Sequence, residues 1–270
     1  MWEKSKLQLL QIGNLIAVIF TIIINSLANV LPIGGKNTGE LSDNIPNLFV
    51  PAGITFSIWG VIYILITLFA IYLAKDLFRK EKSTTPFLQK ISYFFILASI
   101  ANIVWIFLWH YEQVILSLLA MVILFVSLLS IYLRLNISKE KVSMKERLLI
   151  HTPISVYLGW ITVATIANVT AVLVTIGWNG FGIIQETWTI LIMIIVTIIT
   201  ILMIFIRKDF AYSAVIVWAL LGIYLKRSVI DPIYGLQTQI AYSAVIGIVI
   251  ILIVSVIISL LQYSEIRNIN

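Results

Sequence analysis

The chain has 270 residues, 61% hydrophobic and only 11% charged, with a net charge of +6 and a mean hydropathy of +1.06. This composition excludes a soluble domain and a basic nucleic-acid surface, and it specifies an all-α, polytopic transmembrane helical bundle. The absence of cysteine excludes disulfides, thiolate metal sites and cysteine nucleophiles.

The first apolar run covers residues 7–31, after the short basic stretch MWEKSK. It is longer than a signal-peptide core of about 7–15 residues, so a retained helix is expected. Asn14, Asn25 and Asn29 in this run are expected to hydrogen-bond between helices. Residues 32–50, PIGGKNTGELSDNIPNLFV, are punctuated by Pro, Gly, Asn and Asp. This connection is either a plain loop or a lid folded over the end of the next helix.

The second helix is read from Pro51 to Ala74, 24 residues without a charge. At about 1.5 Å per residue it reaches roughly 36 Å, enough to cross a hydrocarbon core of about 30 Å. Phe56, Trp59 and Tyr63 recur at spacings of three and four, which puts them on one face. A lipid-facing helix needs no such stripe. The basic link 75–90 follows, then a third helix over 91–109 and a minimal turn at 110–113, which makes the third and fourth helices an antiparallel hairpin. The fourth helix runs to about 135. A second basic loop covers 136–147, and the fifth helix covers 148–175.

The remainder has a different texture. An uncharged, Gly- and Trp-containing link leads to an Ile-rich sixth helix over 188–206. A short seventh helix is expected over 210–225 and an eighth over 237–262. AYSAVI occurs at both 211–216 and 241–246, but two copies in an Ala- and Ile-rich region do not establish a repeat. Eight spans put both termini on one side. Fifteen of the 18 Lys and Arg residues then share that side, leaving Lys36, Lys226 and Arg227 on the other. The positive-inside rule makes the termini cytoplasmic, in a plasma or inner membrane. Lys226 and Arg227 are the weak point of this topology, because the seventh helix is short.

Two further stripes repeat the device of the second helix. Asn102, Trp105 and Trp109 lie at i, i+3, i+7. Tyr157, Trp160, Ala164 and Asn168 lie at i, i+3, i+7, i+11. Trp109, Trp178, Trp188 and Trp218 fall near expected span ends and read as interfacial anchors. His110 and His151 fall at opposite faces, so a shared metal is not expected. There is no P-loop, HExxH or Gly-x-Ser-x-Gly motif, and no buried acid–base pair, so an enzyme is not expected.

With Pro51, Trp59 and Tyr63, Asn102 and Trp105, and Pro153-x-x-x-Tyr157-x-x-Trp160-x-x-x-Ala164-x-x-x-Asn168, the chain resembles the tryptophan-rich sensory protein family. This is the TspO/MBR family, which includes the mitochondrial translocator protein. The resemblance covers residues 7–175, the five helices typical of that family. It implies two parts, a five-helix domain over 1–175 and a C-terminal extension of three helices over 176–270. It also implies a pocket under the loop after the first helix. Family members are associated with porphyrins, other tetrapyrroles and, in animals, cholesterol. Ligand-binding residues carried over from the resemblance are Trp59, Tyr63, Asn102, Trp105, Tyr157, Trp160, Ala164 and Asn168. The second proline and the tryptophan common after Pro51 are Ala52 and Gly53 here. The Tyr-to-Arg cholesterol pattern after the fifth helix is missing, which argues against sterol. The expected function is a receptor-like or regulatory membrane protein binding a flat hydrophobic molecule, with no cofactor or metal and no nucleic acid. A transporter or facilitator of such a ligand, a component of a larger membrane complex, and a homodimer remain open alternatives. Ion coupling is disfavoured, because no ionisable side chain is expected in a span core.

Overall fold

The computed structural model describes residues 4–31, 33–79, 85–230 and 237–269. Lys80 and Lys82 of the first basic link lie outside the described residues, as does the side chain of Arg267. Ten helices are formed among the described residues. They are α1 (Lys4–Val30), α2 (Thr38–Asn44), α3 (Ile58–Ala74, after a 3-10 turn at Gly53–Ser57), α4 (Thr85–Ile91) and α5 (Phe94–His110). Then come α6 (Val114–Arg134), α7 (Met144–Thr175), α8 (Gln185–Arg207), α9 (Phe210–Arg227) and α10 (Thr238–Ile269). Seven of them are long and apolar enough to cross a membrane. α5 is the eighth apolar helix, with 17 residues, or about 25 Å. The all-α polytopic bundle expected from composition is therefore present.

Five helices close into a ring. α1 packs on α3 and α5, α5 on α6, α6 on α7, and α7 back on α3. The inward faces follow the helical period. Ile62, Ile66, Phe69 and Leu73 of α3 are fully buried, while Ile64 and Ile71 on the outer face stay exposed, as a surface in hydrocarbon allows. Polar side chains stitch the ring. Gln11 Nε2 of α1 donates to Leu73 O, and Asn25 Nδ2 of α1 donates to Asn102 Oδ1 of α5 at 2.7 Å. Asn25 thus bonds between helices as expected, whereas the buried amide of Asn14 has no hydrogen-bond partner among the described residues. After its first turn α7 widens into a π turn at Arg147–His151, closed by Thr152 N–H donating to Arg147 O. Pro153 explains it: with no N–H for the carbonyl four residues back, the ladder opens by one residue.

α9 joins the other two C-terminal helices, α8 and α10, to the ring. It packs on α7 and also on α8 and α10. Close approach is permitted by glycine: a Cβ at Gly159 of α7 would lie 3.1 Å from Val215 Cβ and 3.2 Å from Tyr212 O. At its start Asp209 accepts from Tyr132 Oη at 2.8 Å, Ser155 Oγ at 2.7 Å and its own helix's Tyr212 N at 3.1 Å. At its end Arg227 reaches the connection after α1. α9 therefore runs the full depth of the bundle despite its 18 residues. Asp209 and Arg227 are each only 2% exposed; both sit at helix ends, outside the span cores, where capping and carbonyl contacts compensate them. One expectation is corrected here: Trp218 is not an end anchor but lies mid-helix, and its Nε1 donates to Thr55 O at 2.9 Å.

Candidate functional site: an aromatic chamber under a lid helix

The connection between α1 and α3 is folded. Asn37 caps α2 by accepting from Gly39 N and Glu40 N, and the Glu40 carboxylate accepts in turn from Asn37 N, which makes a capping box. Leu41, Leu48, Phe49 and Val50 are buried, so the segment lies down on the ring rather than in solvent. Trp109 Nε1 donates to Thr38 O at 3.3 Å. Asn47 Nδ2 donates to Thr170 Oγ1 at 2.7 Å and Ala167 O at 3.2 Å. This is the lid alternative of the sequence reading.

Beneath the lid, aromatic rings from three helices converge. Phe56 comes from the 3-10 turn before α3 and Trp59 from the start of α3, Trp105 and Trp109 from α5, and Trp160 from α7; all line one small chamber with Thr38, Asn47 and Val50 of the lid. Trp160 meets Phe56 edge-on at 5.8 Å and Trp59 edge-on at 6.3 Å. Trp105 and Trp109 stack at 5.8 Å. Small side chains on α7, Ala164, Ala167 and Ala171, complete the wall. Among the described residues, no charged side chain lines it. The buried Trp160 Nε1 and Thr38 Oγ1 have no hydrogen-bond partner among the described residues, so a donor and a hydroxyl remain unused at a dry, apolar place.

The sequence-derived residues separate into two groups. Trp59, Trp105, Trp160, Ala164 and Asn168 line this chamber. Tyr63 stacks on Trp59 at 5.6 Å and lines a neighbouring space instead. Tyr157 lies edge-on to Trp59 at 6.0 Å, and Asn102 is fully buried against Asn25; neither is part of the chamber wall. The amide of Asn168 is occupied by the protein: its Oδ1 accepts from Trp105 Nε1 at 3.1 Å, and its Nδ2 donates to Ser117 Oγ at 3.1 Å. Trp109 is buried and stacked, which corrects its reading as an interfacial anchor. The lid residues Thr38, Ser42 and Asn47 were not singled out from sequence. Their signal was the Asn37-x-x-Glu40 spacing, which starts a helix. Val163, Ala167 and Ala171 were missed too, although they continue the Trp160–Ala164 face at helical spacing.

The chamber itself holds about 40 Å³, room for about two or three waters. A second space of about 280 Å³ lies between α1 and α3, lined by Asn25, Asn29, Tyr63 and Ile106. Thr38, Phe56 and Trp59 belong to both linings. The two rings are therefore a partition between a closed chamber and a larger one. A cavity of about 640 Å³ separates the lid-side halves of α7 and α8. Its walls mix branched aliphatic side chains with Trp178, Trp188 and several polar residues, and none of the unpartnered buried polar atoms among the described residues lies in it.

A family model described as TSPO-like protein matches residues 11–257. The match runs through α8 and α9 and most of α10, as well as the five-helix ring. No curated protein and no solved structure matches the chain.

Proposed function

The chain belongs to the TSPO-like protein family, and from that premise we propose that it is a receptor-like integral membrane protein that binds a flat hydrophobic small molecule, such as a porphyrin or another tetrapyrrole. The observation that carries this reading is the convergence of Phe56, Trp59, Trp105, Trp109 and Trp160 on one uncharged chamber under a lid. Flat indole faces suit a flat conjugated ligand, by stacking or edge contact. The unused Trp160 Nε1 and Thr38 Oγ1 can orient a polar edge.

Binding requires the chamber to open. A ligand site commonly holds about 300–1,000 Å³, well above the closed volume here. Rotation of Phe56 and Trp59 would merge the chamber with the space beside Asn25 and Tyr63, so Trp59 is read as wall and gate together. The reading is of binding rather than catalysis, since no acid, base or cysteine lines the chamber among the described residues. The topology that goes with it places both termini in the cytoplasm of a bacterial-type cell membrane, with the lid on the opposite face.

Tryptophan fluorescence of the purified protein, titrated with protoporphyrin IX, tests the reading. Saturable quenching at low micromolar ligand, weakened in a folded Trp59→Phe/Trp160→Phe variant, is expected. Equal quenching in both proteins would make the rings packing alone. Accumulation of the porphyrin inside proteoliposomes would convert the reading from receptor to facilitator.

A further inference from the structure

The lid is fastened from two sides. On the ring side the bonds come from Asn29, Trp109 and α7. On the other side they come from α9. Lys226 pairs with Asp43, which lies in the last turn of α2. Arg227 Nε donates to Leu48 O at 3.1 Å, and its Nη2 donates to Asn47 O at 3.0 Å. Gly222 O accepts from Ala52 N at 2.9 Å, just beyond the lid.

These contacts have a charge logic. A guanidinium buried this deeply is costly unless carbonyls satisfy it, and the lid supplies two. The C-terminal end of α9 adds a favourable dipole for both cations. Lys226 and Arg227 are also two of the three basic residues on the face that the positive-inside rule keeps poor in cations. Their placement is a topological cost that fastening the lid offsets.

We propose that α9 is the latch of the lid: Lys226 and Arg227 hold residues 43–48 over the chamber, and they set how often it opens. The three C-terminal helices then contribute no wall to the chamber but control access to it. That last clause rests on the ligand reading above; the latch itself does not.

The test uses the full chain, which has no native cysteine, in lipid nanodiscs. Ser42→Cys places one thiol under the lid, where Ser42 is buried and lines the chamber. Its labelling rate with a water-soluble maleimide reports opening without any ligand. Lys226→Glu, at an exposed pair, is expected to speed labelling by about threefold, and the exchange Asp43→Lys/Lys226→Asp to restore it. Arg227→Gln is expected to speed it by about tenfold or more. Ser99→Cys, buried on α5, reports general loosening and is expected to stay slow throughout. Unchanged labelling at the Ser42 position in Lys226→Glu, no restoration by the exchange, or equal acceleration at Ser99 would each overturn the latch. If Arg227→Gln does not fold, the Lys226 series still decides. A failure of porphyrin quenching would sink the ligand reading and leave this result standing.

Discussion

At Asn168 a single amide joins three helices. It accepts from Trp105 on α5, donates to Ser117 on α6, and itself sits on α7. Trp105 is thereby held in place as a wall, because its only N–H is committed. Asn168→Leu keeps the volume but leaves the indole without an acceptor. It is expected to lose about 1–2 kcal/mol of stability, by the measured range for buried side-chain bonds within membranes; reversible unfolding in mixed SDS micelles would check it, and an unchanged midpoint would mean the bond contributes nothing. Residue roles were partly legible. The Trp59, Trp105 and Trp160 stripes announce themselves by spacing. What the spacing could not say is which polar atoms the protein uses itself. Asn168 and Asn102 both spend an oxygen on a neighbouring helix, while Trp160 keeps its Nε1–H and Thr38 its hydroxyl unspent among the described residues. Trp109 and Trp218 were misread for one reason: nearness to an expected end suggests an interface, but each found a backbone carbonyl inside the protein.

Among the elements, the long helices were legible because each is a sustained apolar run set off from the next by polar or charged residues. α2 was not, because seven residues carry too short a period, and its capping box was the one local sign. Contacts of α9 were beyond reach, since Arg227 meets Asn47 across 180 residues of chain. The meeting of α9 with the start of α3 depends on Gly222. A Cβ there would collide with Thr55 Oγ1 and come within 2.8 Å of its Cγ2 and 2.9 Å of Pro51 Cβ. Gly222→Ala is therefore expected to cost about 1–3 kcal/mol by overpacking, and to loosen the lid as well. Gly60→Ala on α3 is the contrast. A Cβ there meets nothing within 4 Å, so the change is expected to be neutral or to stabilise by up to about 1 kcal/mol through helix propensity. Thermal unfolding of the two variants in the same detergent separates them, and equal melting would contradict the contact.

On the scale of the whole molecule, a closed ring of five helices carries the chamber, and α9 ties itself and two further helices, α8 and α10, to the ring and its lid. The family match across 11–257 takes in these helices as well as the ring. Eight crossings with the charge asymmetry predict cytoplasmic termini. A C-terminal green fluorescent protein fusion should fluoresce and an alkaline phosphatase fusion should stay inactive; the reverse pattern would invert the lid to the cytoplasmic face. The central claim, that the chamber beneath the lid is where a flat ligand sits, is tested most directly by filling it. Ala164→Phe puts a ring into the chamber and leaves every tryptophan in place as a reporter. The account predicts that protoporphyrin IX then no longer quenches saturably, while the variant unfolds at a temperature close to that of the natural chain. Undiminished saturable quenching in Ala164→Phe would contradict it and move the ligand elsewhere on the protein.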